Sequence, residues 1–174
     1  MRIAFAYLFI LLILLTYGTY RYNIKQSNNR PLLQKTGWKQ TIYAKKVSPR
    51  LLRLSRFFTS YNSPLAFESE SFLEASEKYK IDYKILVAIA GVESTFAKNI
   101  AYNSHNPFGY MCGNRVCYFK SYRQAIFKVA QTISRNRAYK KYRLTKRIID
   151  LAEVYNYVYP EEWSSKLEWF IKKI

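Results

Sequence analysis

The chain has 174 residues, enough for one ordinary domain with an appendage and too few for two full domains. It carries 29 Lys and Arg against 11 Asp and Glu, a net charge of +18 that suits polyanions: nucleic acid, anionic lipid or an anionic wall. Two cysteines and one histidine argue against a metal site, and neither metal nor cofactor is expected.

The charge is uneven. Residues 1–64 hold eleven Lys or Arg and no acid, whereas residues 65–174 hold the other eighteen together with all eleven acids, a net of +7. At the N-terminus Arg2 precedes the apolar run from Ile3 to Leu15, and the next charge is Arg21. Residues 1–20 therefore read as a membrane-targeting segment, either a cleaved signal peptide or a short anchor. Arg21, Lys25, Arg30, Lys35 and Lys39 follow directly. By the positive-inside tendency they argue against export of what comes after, so the two signals conflict. The expectation is a protein anchored in the membrane and facing outward, or secreted.

Residues 21–60 read as a basic linker, within which Ser48-Pro49 opens a short amphipathic helix over Arg50–Phe58. That helix suits either a membrane surface or the domain that follows. The domain is expected over residues 61–174. Ser69 to Lys80 has the helical period, with Phe72, Ala75 and Tyr79 on one face. Asp82 caps a helix that runs to about Thr95 and is apolar almost all round, which predicts a core position. Residues 97–120, rich in Gly, Asn and Pro, predict a loop with a small hairpin at Met111–Phe119. Cys112 and Cys117 stand within it. If the chain is exported they close the hairpin as a disulfide; otherwise they are two free thiols. Ser121 caps a helix through about Asn136, another spans Lys146–Tyr155, and Pro160 opens the last, with Trp163, Leu167, Phe170, Ile171 and Ile174 as its apolar stripe. The fold class is mainly α, with one small β-hairpin or irregular lobe after the central helix.

Glu93 ends that apolar helix, in Val92-Glu93-Ser94-Thr95-Phe96. A carboxyl among groups that solvate it poorly stays protonated towards neutral pH and can act as a general acid. With Asn103-Ser-His-Asn-Pro-Phe-Gly-Tyr-Met111, Phe119-Lys-Ser-Tyr-Arg-Gln-Ala-Ile126 and Val154-Tyr155-Asn156, the ordered set resembles the lysozyme-like superfamily. More narrowly, residues 61–174 resemble the lytic transglycosylase and endo-β-N-acetylglucosaminidase branch of bacterial cell-wall hydrolases. The resemblance implies that Glu93 is the proton donor to a glycosidic oxygen of peptidoglycan. It also implies that Ser94, Asn103, Asn106, Phe108, Tyr110 and Tyr155 line the sugar cleft. The chain departs from the transglycosylase pattern at Gly109-Tyr-Met-Cys112, which lacks a glutamine, and at Val154-Tyr-Asn-Tyr-Val158.

A conventional glycosidase needs a second carboxylate, yet Ser94 to Ile149 contains no Asp or Glu. Of the later acids, Glu153 is the leading candidate, with an exposed surface glutamate as its plainer reading. Chemistry that needs only Glu93 is therefore expected. With water positioned by polar side chains as a further route, attack by the substrate's own C6 hydroxyl fits the transglycosylase resemblance best and is the leading expectation. Participation of its acetamido oxygen gives an endo-β-N-acetylglucosaminidase, and a non-catalytic wall-binding module is the alternative from another class. His105, the sole histidine, reads as a loop residue at the cleft rim. The Tyr- and Lys-rich stretches carry no nucleic-acid motif, so glycan strands are the expected partner, not nucleic acid, and a monomer is the expected state.

Overall fold

A computed structural model of the protein describes residues 48–174. Seven α-helices and one two-stranded antiparallel hairpin make up this part of the chain, so the mainly α architecture with a small β lobe is the one observed. The apolar segment at Ile3–Leu15 and the basic stretch 21–46 lie outside the described residues. Among the described residues no helix is long and apolar enough to cross a membrane.

Helix α1 spans Pro49–Ser60, with Ser48 Oγ accepting from the Leu51 amide at its start. Its apolar face lies on the domain: Leu54 and Phe58 are fully buried, and the Phe57 ring meets Phe96 edge-on at 5.4 Å. Arg50, Arg53 and Arg56 face solvent. The folded unit therefore begins before residue 61, because this helix supplies part of the core. A single 3₁₀ turn, Pro64–Glu68, leads into α2 (Ser69–Tyr79), which ends on Lys80 in the left-handed region.

Helix α3 (Tyr83–Ser94) is the centre of the domain. Asp82 Oδ1 accepts from the Lys84 amide at its start, and every residue from Ile85 to Gly91 is buried. An almost wholly apolar helix can be solvated on no face, so neighbours must cover it all round. The last helix does so most closely. A Cβ at Gly91 would stand 2.7 Å from the Phe96 ring and 3.1 Å from the Phe170 ring, so the missing side chain sets how near that helix lies.

The lobe after α3 holds strands β1 (Met111–Cys112) and β2 (Arg115–Val116), joined through Gly113 at φ +65°. Regular pairing is shorter than Met111–Phe119. Beyond Val116 the chain makes single bonds instead, Cys117 N–H to the Tyr110 carbonyl and Phe119 N–H to that of Ser104. Cys112 and Cys117 are joined as a disulfide, with Cα atoms 5.1 Å apart.

Helix α4 (Tyr122–Arg135) starts at Ser121, whose hydroxyl accepts from the Gln124 amide. A 3₁₀ turn at Arg137–Tyr139 and a short α5 (Lys140–Thr145) follow, where the sequence shows no helical period. Burial of Tyr139 and Tyr142 pins this basic stretch. Arg143 adds bonds to the Ile133 and Asn136 carbonyls at the end of α4. Lys146, at φ +59°, breaks the chain before α6 (Ile148–Tyr155), which therefore starts two residues later than its periodicity suggests. Helix α7 (Pro160–Lys173) begins on its proline and packs across both α3 and α6.

Candidate active site

Glu93 stands in the last turn of α3, just before a sharp reversal. Thr95, Phe96 and Ala97 all adopt positive φ (51°, 58° and 66°), a left-handed turn built without glycine. Each such residue costs on the order of 1–2 kcal/mol. Hydrogen bonds and burial offset that strain. The Thr95 and Phe96 amides donate to the Gly91 and Ala90 carbonyls, and Ser63 Oγ donates to the Phe96 carbonyl across 2.8 Å. Phe96 itself is fully buried among Phe57, Phe58, Tyr61 and Phe170.

Ser94 belongs to this reversal. It is buried, its one hydroxyl proton is shared between the Pro107 carbonyl at 2.8 Å and the Ala90 carbonyl at 3.0 Å, and its oxygen accepts from the Ala97 amide. The expected sugar contact gives way to a structural one: the hydroxyl ties the end of α3 to the lobe.

Asn106 is likewise turned inward and 3% exposed. Its amide nitrogen donates to the Tyr110 and Cys117 carbonyls, and its Oδ1 accepts from the Phe108 and Tyr110 amides. Four bonds fill the capacity of a carboxamide, which leaves none for a sugar. Phe108 is fully buried and packs near Phe72. What this segment presents outward is Gly109, at φ +60°. A Cβ there would stand 2.8 Å from Glu93 Oε2, so only glycine admits the carboxylate at this distance.

The other carboxylate oxygen is held from across the fold. Trp163 Nε1–H donates to Glu93 Oε1 over 2.7 Å, linking residues 70 apart. Trp163 stacks on Tyr155, with centroids 5.1 Å apart and planes 19° off parallel, and the Tyr155 hydroxyl donates to the Phe108 carbonyl. In the sequence Trp163 belongs only to an apolar stripe; no local signal marks it as a partner of Glu93. Tyr110 is partly buried, its hydroxyl paired with Thr132 Oγ1 at 3.1 Å. Asn103 is exposed in a left-handed conformation. His105 sits in the lobe, with Nδ1 at 3.0 Å from the Phe119 carbonyl and its ring edge-on to Tyr122.

Burial raises the carboxyl of Glu93 above its ordinary value of 4.5, and the indole bond partly opposes the rise. Neither cause is a neighbouring carboxylate. An indole N–H can only donate, so Oε1 accepts; a carbonyl oxygen is the better acceptor, which favours a proton on Oε2, the oxygen over Gly109. Burial, with Glu93 as the next contribution, holds the Tyr155 phenol far above its ordinary value of 10. Glu153 is exposed and ion-paired with Lys141 at 2.7 Å, as a surface glutamate. Asp150 is buried between Lys141 and Thr145, which hold its carboxyl below the usual range. Among the described residues, no group of three His, Cys, Asp or Glu side chains could hold a metal ion.

A helical domain with a carboxyl at the end of its buried helix, its pKa raised by burial, facing a small β lobe, defines a lysozyme-like glycosidase. The family model for mannosyl-glycoprotein endo-β-N-acetylglucosaminidase, the glucosaminidase family, matches residues 69–174, and the chain belongs to that family. It is a glycosidase of the cell-wall hydrolase type, acting on peptidoglycan. No curated protein and no solved structure matches the chain.

Proposed function

We propose that the protein is an endo-β-N-acetylglucosaminidase that cuts the peptidoglycan strand with Glu93 as its only carboxyl catalyst. The observation that carries this reading is the isolation of Glu93. Burial raises its pKa and the Trp163 indole partly opposes the rise, with no carboxylate among the causes, whereas a paired catalytic carboxylate would act on it directly.

Glu93 Oε2–H protonates the glycosidic oxygen as the bond to the anomeric carbon breaks. The acetamido carbonyl oxygen of the same sugar attacks that carbon from the opposite face, forming a cyclic oxazoline-type intermediate. The cut strand leaves as an alcohol. Water then attacks the anomeric carbon, Glu93 takes its proton, and the ring opens to an N-acetylglucosamine reducing end. Trp163 holds the carboxyl in one orientation throughout, and Gly109 keeps the approach to Oε2 clear.

Membership of the glucosaminidase family favours this route over attack by the C6 hydroxyl, which uses the same lone acid. Mass analysis of fragments released from purified peptidoglycan separates the two. Reducing N-acetylglucosamine ends are expected. Anhydro ends, lighter by one water, would replace this reading with a lytic transglycosylase.

The same reading puts the protein outside the membrane, tethered or released, where its substrate lies. The apolar N-terminal segment and the Cys112–Cys117 disulfide both support an exported domain. The positive charge would hold it on an anionic wall.

A further inference from the structure

The acid-free stretch from Ser94 to Ile149 carries twelve Lys or Arg. Acids from elsewhere in the chain reach only some of them: Glu74 pairs with Arg123, and Asp150 and Glu153 pair with Lys141. Lys128, Arg135 and Arg137 have no ion-pair partner among the described residues, and all three line a single surface pocket with Tyr110, Gln131 and Thr132. No carboxylate lines that pocket.

Tyr110 joins the pocket to the site. It follows Gly109, which lies against Glu93, and its hydroxyl is bonded to Thr132. The Lys128 ammonium stands 5.9 Å from the Tyr110 ring centre, and the Arg135 guanidinium lies 5.6 Å from that of Tyr79. Two of the three cations are thus steadied on aromatic faces, with their charge unneutralised. Three exposed cations without acidic partners, next to polar amide and hydroxyl groups, are chemistry for an oxyanion.

We propose that this pocket is an anion subsite of the cleft, and that it takes the carboxylates of peptide stems carried by the glycan strand. The proposal rests on the glycan-cleavage reading above. Stems are bonded to the same strand whose sugar lies over Glu93, so a pocket that Tyr110, the residue after Gly109, shares with three cations is placed to meet a substituent of a neighbouring sugar. The enzyme therefore selects strands whose stems bear free carboxylates. A phosphodiester polymer attached to the wall offers the same oxyanion chemistry, and the experiment separates it.

The test measures kcat/KM of the full chain on matched glycan preparations: stems with free carboxylates, stems with those carboxylates converted to amides, and each with or without the phosphodiester polymer. Free carboxylates are expected to be preferred over amides by about tenfold, the scale of one or two charge-assisted bonds. Added salt should shrink the preference, since exposed charges are screened over about 10 Å at 0.1 M. In an Arg135→Gln/Arg137→Gln variant the ratio should fall towards one. Because it is a ratio within one protein, it does not depend on the fraction folded.

A ratio near one in the parent protein overturns the subsite without any variant. A ratio that survives in the double variant overturns it too, as does a preference that follows the phosphodiester polymer. Failure to cut any preparation would instead remove the glycan-cleavage reading and the subsite with it.

Discussion

The indole N–H of Trp163 and the carboxylate of Glu93 meet at 2.7 Å, although 70 residues separate them and they belong to different helices. With Gly109 against the second oxygen, the pair leaves the carboxyl one direction in which to present its proton. Four expectations follow from this arrangement.

Replacing Glu93 by glutamine should lower glycan cleavage by about 10²–10⁴-fold, the usual weight of a general acid. It should also stabilise the protein near neutral pH. Burial raises the folded-state pKa above 4.5, so over a range of pH the folded protein keeps a proton that the unfolded chain has released. Stability is then lost as pH rises through that range, and Glu93→Gln escapes the loss. Melting curves should show the variant ahead of the parent at neutral pH and level with it below the ordinary carboxyl pKa. A parent that melts higher at neutral pH would remove the buried-acid account.

Trp163→Phe keeps an aromatic ring beside Tyr155, though a smaller one, and deletes the donor. The indole bond lowers the pKa of Glu93, so its loss should raise it. The alkaline limb of the rate profile, where the acid is lost, should move to higher pH. Freed of its anchor, the carboxyl should also work about tenfold to a hundredfold more slowly. A variant with a slower rate and an unmoved alkaline limb would mean that Trp163 contributes packing alone.

Gly109→Ala puts a methyl 2.8 Å from Glu93 Oε2, closer than the two atoms can stand. The left-handed backbone adds about 1 kcal/mol of strain, which the fold should survive. Activity should fall about a hundredfold or more, because a carboxyl displaced by an ångström no longer reaches the leaving oxygen. Circular dichroism beside a turnover assay separates the two effects, and full activity in the variant would show that Gly109 does not set the position of Glu93.

Asn106→Ala removes four hydrogen bonds inside the lobe and strands the Phe108 and Tyr110 amides. The cost should be about 3 kcal/mol, read from denaturant unfolding. Cleavage should drop even at temperatures where the variant is folded, since Asn106 shapes the turn that carries Gly109. A loss confined to KM, with stability unchanged, would restore the sugar-contact role that the resemblance implied for this residue.

Much of the framework was legible in the chain alone. Ser48, Asp82, Ser121 and Pro160 start helices where capping chemistry says they should. The apolar stretch ending at Glu93 is the central helix, and the Cys pair closes the small hairpin. These features obey local rules, in which a side chain caps its own helix or a periodic face meets the core. The 3₁₀ turn and α5 at Arg137–Thr145 were not legible, because burial of Tyr139 and Tyr142 against distant partners forms them without a periodic pattern.

By itself the sequence determined that a carboxyl ends a buried helix and that the next 56 residues, Ser94 to Ile149, offer it no acidic neighbour. Only the tertiary structure decided which groups surround it. Ser94 and Asn106 turned inward and Trp163 turned towards Glu93, because each direction depends on how α7 and the lobe pack on α3. Composition and spacing record which hydrogen-bonding groups a chain owns; the approach of elements distant in sequence selects the ones that meet.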